Sequence, residues 1–341
     1  MRVLVTGHLG YVGAVLTPML LERGHEVIGL DSDLYRRCST GDGLAQTPKL
    51  EKDIRDAESS DFDGADAVVH LAGLSNDPLG SLDPELTHEI NHRASVRVAE
   101  CAKRAGVSRL VLASSCSVYG SSGADWVDES ARLRPITPYA ESKANMERDI
   151  APLADRSFAP VFMRNATAFG PSPRLRFDLV VNNFAAWGVS TGRIVLKSDG
   201  SAWRPLVHVE DIARAAVAAI EAPTDDIRGR VLNVGATSMN HRISDVADAV
   251  RTAAPECRVE MEPGATADRR CYRVRCDRLD DALPDARPLR SLHDGIVGVV
   301  EWMRGQTLSP EAFEGPRFAR LEHIRWLLEQ GLIGNDLRVR A

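Results

Sequence analysis

Two rhythms of apolar and polar positions alternate through the first half of the chain. Short β-branched runs at Arg2–Val5, Glu26–Leu30, Ala67–His70 and Arg109–Ala113 read as buried strands. Between them apolar residues recur at helical spacing. Val12, Val15, Leu16, Met19 and Leu20 outline a helix that runs to Arg23 and stops at Gly24. Ile90, Ala94, Val98 and Ala102 outline another, from Thr87 to Ala105, closed by Gly106. A third, Tyr139–Ala151, begins just after Pro138. Strands alternating with helices predict a parallel, doubly wound α/β sheet. Tyr35–Leu50 is polar and glycine-bearing and reads as loop.

The second half is more mixed. Pro160–Arg164 continues the strand pattern, Phe177–Gly188 reads as helix and Arg193–Lys197 as strand. Leu206–Val209 and Val231–Val234 are short apolar runs expected to rejoin the first sheet, and Ile243–Thr252 and Leu321–Gln330 are amphipathic helices. This divides the chain into residues 1–165, with segments near 206–235 returning, and a smaller mixed α/β unit over 166–341. No internal repeat or low-complexity linker separates them.

Composition narrows the class. The 341 residues carry 44% apolar and 26% charged side chains, ordinary for a globular protein with a sizeable core. A net charge of −6 argues against a nucleic-acid partner. No apolar run approaches the ~20 residues that span a bilayer. The six cysteines lack metal-ligand spacing and are few for a disulfide scaffold, so no metal site is expected and thiols in a reducing compartment are the simpler reading. The sequence opens on a core strand, which leaves no room for a signal peptide and suggests a cytoplasmic location.

The candidate chemistry starts at the first turn. Gly7, Gly10 and Gly13 stand at intervals of three between strand and helix, with Tyr11 and Val12 among them. Such a turn aims the helix's free N–H groups, and the positive end of its dipole, at a pyrophosphate. The second strand ends on Asp31, where an acid can accept hydrogen bonds from an adenosine ribose and would repel a 2′-phosphate. Arg36 and Arg37 could instead hold such a phosphate.

Tyr139 and Lys143 lie four apart, one turn apart on one helix face. A phenol ionises near pH 10 and is a poor base at neutral pH, but a neighbouring ammonium and a cationic cofactor ring favour the phenolate. Lowering it to near 7 takes roughly 4 kcal/mol. Ser115 ends the fourth strand, on the side of a parallel sheet where ligands bind, and can hydrogen-bond a substrate oxygen.

Thr6-Gly7-x-x-Gly10-Tyr11-x-Gly13, Asp31, Asp53-Ile54-Arg55, His70-Leu71-Ala72-Gly73, Ser114–Gly120, Tyr139-x-x-x-Lys143 and Trp203–Asp211 together resemble the extended short-chain dehydrogenase/reductase family. Within it, the nucleotide-sugar epimerase and dehydratase branch fits best. The resemblance implies a Rossmann-type fold that binds NAD, with Gly7, Gly10 and Gly13 around the pyrophosphate, Asp31 at the ribose and Asp53 with Ile54 at the adenine. Leu71, Ala72 and Gly73 would line the path to nicotinamide. Tyr139 would be the base, Lys143 would hold the nicotinamide ribose, and Ser115 would bind the reacting sugar oxygen. Arg204 matches the position that grips the substrate diphosphate. Arg269, Arg270 and Arg273 compete for a second such position, and Arg270 is taken here. Asn182 and Asn183 fall where the base-binding segment would be. A homodimer through the helices at Thr87–Ala105 and Tyr139–Ala151 is implied as well.

The departures narrow the reaction. Dehydratases of the branch carry an Asp-Glu pair where this chain has Cys116 and Ser117, and its decarboxylases place a glutamate at Ser117. Thr167 replaces a common asparagine that contacts substrate. What remains is an NAD-dependent nucleotide-sugar epimerase, acting at C4 through a transient ketone with retained cofactor. The alternatives are a 4-ketoreductase, a C3/C5 epimerase using Cys116, and a non-catalytic NAD-binding sensor.

Overall fold

The computed structural model describes residues 1–340 except 42, 123, 124, 269 and 307. Its centre is a parallel sheet of seven strands. From edge to edge these are Val231–Val234, Ala159–Asn165, Arg109–Ser115, Ala67–His70, Arg2–Thr6, Glu26–Asp31 and Lys49–Glu51. The order reverses beside Arg2–Thr6, and a crevice opens there at the strands' carboxyl ends.

Alternation along each strand sends neighbouring side chains to opposite faces. Val3, Val5, Val69, Val111 and Val161 fall on one face, packed with Leu16 and Leu20 of the helix Gly13–Glu22 and Ile212, Ala216 and Ile220 of Val209–Glu221. Leu4, Val68, Leu110, Leu112 and Phe162 fall on the other, with Val98 and Ala102 of Ala94–Arg104 and Met146 and Ile150 of Pro138–Ile150. The strands are buried on both sides, which is why they read as apolar runs. A third apolar cluster lies in the second half, where Val181, Ala185, Val246, Val250, Ile296 and Val299 pack together.

Two expectations are corrected. The run Leu206–Val209 does not rejoin the main sheet. It belongs to the strand Trp203–His208, which pairs with Thr167–Phe169 and antiparallel with Asn240–Arg242 in a separate three-stranded sheet. The following helix, Val209–Glu221, does return to cover the first sheet. The stretch read as loop over Tyr35–Leu50 gives way to the edge strand Lys49–Glu51, paired with Gly29–Asp31. Its three residues are exposed and two are charged, so no apolar signal marks it. The helix expected over Thr87–Ala105 is present; it runs on from Pro84 to Arg104 through a π-helical turn, Glu89–Arg93.

The helix that carries Tyr139 and Lys143 is fixed at both ends. Thr137 caps it, its hydroxyl accepting from the Ala140 N–H at 3.2 Å, and Pro138 follows in the first turn, where no amide partner is needed. Further along, Glu147 forms a buried ion pair with Arg164 of the sheet, at 2.7 Å from Nη2 and 3.0 Å from Nε. Ser114 also donates to Glu147, and Arg164 Nη1 reaches the Tyr119 hydroxyl at 3.0 Å. A buried pair broken on one side leaves an uncompensated charge. Arg164→Met is therefore expected to lower unfolding free energy by about 3–5 kcal/mol in urea titrations; a change under ~1 kcal/mol would show that the pair does not anchor the helix.

Candidate active site

A cleft of about 910 Å³ runs across the carboxyl ends of the strands. Its floor at one end is the glycine turn. Gly7 has φ of +74°, and a Cβ there would meet the Ala72 nitrogen at 2.7 Å; one on Gly13 would meet the Gly7 oxygen at 2.3 Å. The turn therefore closes on itself only with bare backbone, and it leaves the start of Gly13–Glu22 facing the cleft. Asp31 stands beside it, accepting from the backbone N–H groups of Leu9 at 3.0 Å and Asp33 at 2.9 Å. Burial nevertheless holds its carboxyl above the ordinary value. The adjoining His8 ring is buried against Gly29 and pushed down to about 4, chiefly by desolvation, so it is neutral.

Tyr139, Ser115 and Lys143 converge further along the cleft. Tyr139 is half-buried, and its phenol lies beside the Ser115 hydroxyl. Desolvation pushes the phenol up to about 12, and the neighbouring Ser115 hydroxyl offsets only part of this. Lys143 donates to the Ala113 carbonyl at 2.8 Å. Burial pulls its ammonium down to about 8, against the attraction of Glu147 one turn on. The ammonium has not made the phenol acidic on its own, so the lowering expected from the sequence is absent in the unliganded site.

Residues 3–235 match the NAD-dependent epimerase/dehydratase family. The chain belongs to that family. A UDP-glucose 4-epimerase of Mycolicibacterium smegmatis is 31% identical over 324 residues, covering 90% of this chain and all of that protein. One from Neisseria meningitidis serogroup A is 30% identical over 307 residues, with 80% and 88% covered. Among solved structures, MoeE5 with UDP-glucuronic acid and NAD superposes with a TM-score of 0.78 at 25% identity, over 89% of this chain and 99% of that one. The Thermus thermophilus UDP-glucose 4-epimerase complex with NAD gives 0.73 at 27%, with the same coverage.

NAD is the cofactor of this family, and the cleft fits it. The bare glycine cradle admits a pyrophosphate, and each Asp31 oxygen keeps a lone pair beyond its one backbone donor. Asp53 and Ile54 line the same end, and Leu71, Ala72 and Gly73 line the path from there towards Lys143. Asp53 is already engaged by Arg55, through the backbone N–H at 2.9 Å and the guanidinium at 3.0 and 2.7 Å. Val12 lines the turn, and Tyr11 ties it to the second half by donating to the Gly170 carbonyl at 2.7 Å. Arg36 turns away to Asp33 and Glu51, and Arg37 stacks on Trp326, so neither offers a 2′-phosphate site.

At the opposite end the structure brings Thr167, Asn183, Arg204 and Arg270 to the cleft. Both arginines converge on Asp268, Arg204 at 2.7 Å and Arg270 at 2.9 Å, and Arg270 also bridges to Asp77 at 2.9 Å. Burial works to raise the Asp268 carboxyl, but the two guanidinium groups outweigh it and leave it below its ordinary value. Arg269 lies outside the described residues.

Two expected substrate contacts are corrected. Cys116 lies outside the cleft, buried, with its thiol donating to the Arg164 carbonyl at 3.1 Å; desolvation raises it well above the ordinary thiol value. Asn182 is also buried, its side chain bridging the Gly170 amide at 2.9 Å and the Arg176 carbonyl at 3.0 Å. The sequence reading also missed several groups. Ser117 Oγ and Asn165 Oδ1 are buried without hydrogen-bond partners, on residues that line the cleft. Asp77, Asp268, Arg176 and Tyr35 line it too. Asn165 follows Arg164 at a strand's carboxyl end, a position that could have singled it out.

The Lys143 shift has a stability consequence. Its folded value near 8 lies below that of an exposed lysine, so the folded state resists the charge. That penalty is present in full below pH 8 and fades as pH rises towards the unfolded value of about 10.4. Between pH 7 and 10, unliganded wild type should gain roughly 2–3 kcal/mol relative to Lys143→Met in denaturant titrations; parallel pH profiles would contradict the burial.

Proposed function

We propose that the protein epimerises C4 of a nucleotide-diphosphate sugar, with NAD retained through the cycle. The observation that carries this reading is that Ser115, Tyr139 and Lys143 line one stretch of the cleft, with Lys143 one helical turn from Tyr139, and that no carboxylate or cleft-facing thiol stands at the two positions after Ser115. Cys116 is turned into the core, which removes the support for C3/C5 proton exchange through that thiol. Asp77, whose charge acts on Tyr139, is itself held by Thr137 at 2.6 Å and by Arg270.

NAD supplies the hydride acceptor and donor when bound. Tyr139 takes the proton from the C4 hydroxyl as the carbon is oxidised and returns it to the opposite configuration after the ketone has turned over. Ser115 hydrogen-bonds the same sugar oxygen in both poses. Lys143 carries its charge at neutral pH, since its value near 8 is above 7, and it stabilises the phenolate from behind. Ser117 and Asn165 offer unpaired polar atoms to sugar hydroxyls. Arg204 and Arg270 take the diphosphate, where planar guanidinium groups bind phosphate oxygens in pairs. The relatives named for UDP-glucose support UDP-hexoses as the first substrates to test. A homodimer through Ala94–Arg104 and Pro138–Ile150, and a cytoplasmic location, belong to the same reading; among the described residues no helix is long and apolar enough to cross a membrane.

Incubation of purified protein with UDP-, GDP-, CDP- and dTDP-hexoses in deuterated water tests the reaction. The expected product has altered C4 stereochemistry and unchanged mass, because hydrogen returns from the cofactor. Deuterium at carbon would contradict the proposal. Tyr139→Phe should lower the rate by about 10²–10⁴-fold while NAD binding persists; an active variant would remove tyrosine from the base role.

A further inference from the structure

The family match ends at residue 235, and the sugar chemistry above uses nothing beyond Arg270. Yet residues 310–340 cross back from the second half to the cofactor end of the first sheet. Glu314 receives hydrogen bonds from Asn183 at 3.0 Å and Trp187 at 2.7 Å, which fixes the start of the segment. The segment then lies along the loop that follows Asp31. Arg317 donates to the Ser39 carbonyl at 3.1 Å, the His323 ring lies 3.1 Å from the Leu34 carbonyl, and Arg37 stacks on Trp326. Its last turn folds on itself, Gly334 N–H to Arg338 O at 2.9 Å, and docks beside the predicted adenine site. There Arg55 donates to the Asp336 carbonyl at 2.8 Å, and Arg338 pairs with Asp56 at 3.0 Å.

Glu314, Ala319, Arg320 and Leu337 of this segment line the cleft, and Leu337 and Arg320 face its cofactor end. Leu337 sits between the two pinned residues with φ of +58°, a conformation costly for leucine, and lines the same cleft as Asp53 and Ile54. Arg320 is 2% exposed, with its guanidinium 4.6 Å from the Tyr35 ring. One nitrogen reaches the Arg174 carbonyl at 3.0 Å, while Nη1 has no hydrogen-bond partner and no carboxylate pairs with the group among the described residues. The Tyr35 hydroxyl beside it is also without a partner. A buried guanidinium cannot shed its charge, so a site built this way is completed by an anion.

We propose that residues 310–340 form the outer wall of the dinucleotide site, Leu337 covering the adenosine end and Arg320 supplying a buried cation to the bound dinucleotide. The wall slows release of NAD, which an epimerase that regenerates its cofactor in every turnover requires and a ketoreductase exchanging cofactor does not. This inference rests on the cofactor lying along the glycine turn.

The test uses the full chain with Leu337→Gly and, separately, Arg320→Met. Glycine accepts the φ at 337, so that variant removes the side chain without straining the docked segment. Methionine keeps bulk at 320 without the charge. NAD per chain after gel filtration is read by absorbance and mass spectrometry, and the release rate by exchange with labelled NAD. Each variant should release NAD about tenfold faster or more. Leu337 is also buried in the apolar cluster of the first sheet, so the melting temperature of the unliganded variant should fall; assayed well below it, Leu337→Gly should weaken 5′-AMP by a similar factor and leave nicotinamide mononucleotide unchanged. Release at the wild-type rate in Leu337→Gly, or equal weakening of 5′-AMP and nicotinamide mononucleotide, would overturn the inference. If wild type itself neither carries nor binds NAD, the functional reading falls with it, a result distinct from unchanged variants on a wild type that binds.

Discussion

The buried pair between Glu147 and Arg164 is the constraint on which the site depends. It joins the helix Pro138–Ile150 to the strand Ala159–Asn165, both side chains being less than 10% exposed. Ser114 donates to the same carboxylate, so the strand that ends on Ser115 is drawn into the joint. Lys143 is one turn from Glu147 and Tyr139 two turns, so their heights above the sheet follow from where Glu147 is held. The hydroxyl, phenol and ammonium thus have one mechanical reference. The Cys116 thiol, bonded to the Arg164 carbonyl, faces into this joint and not into the cleft.

Electrostatically the cleft is prepared for ligands and is not active by itself. At the far end of the cleft, Asp268 holds Arg204 and Arg270 in place, and on the proposed reading a substrate diphosphate competes with that carboxylate for them. At the other end, a helix start and bare backbone face the cleft, and the buried Arg320 lines it. At the chemical centre the phenol is held neutral by burial, up to about 12, while the ammonium near 8 is charged at neutral pH. On the proposed mechanism the missing positive charge is that of an oxidised nicotinamide ring, which would tie proton abstraction to a cofactor able to accept hydride.

What could be read from the sequence was what is local. The glycine spacing, the acid ending the second strand and the Tyr139–Lys143 interval each depend on neighbours within a turn or two, and all of them line one cleft. Orientation around an axis was less legible. Asn182 and Asn183 are adjacent on one helix and so point about 100° apart; one is buried in the second half and the other reaches the cleft. Cys116 follows Ser115 directly, but the 3₁₀ turn Cys116–Tyr119 rotates it inward. Pairing between distant segments was hidden as well. Leu206–Val209 has the composition of a core strand, and only tertiary contacts send it to the smaller sheet. The segment 310–340 carries an amphipathic helix, but nothing in its pattern names the surface it covers.

The central claim is that a bound oxidised cofactor turns a buried phenol into a usable base. The difference in ultraviolet absorbance between wild type and Tyr139→Phe, followed against pH, isolates the ionisation of that one ring. Without cofactor the titration should lie near 12, and with saturating NAD⁺ it should fall by several units towards neutrality. A titration that stays where it was when NAD⁺ binds would contradict the account.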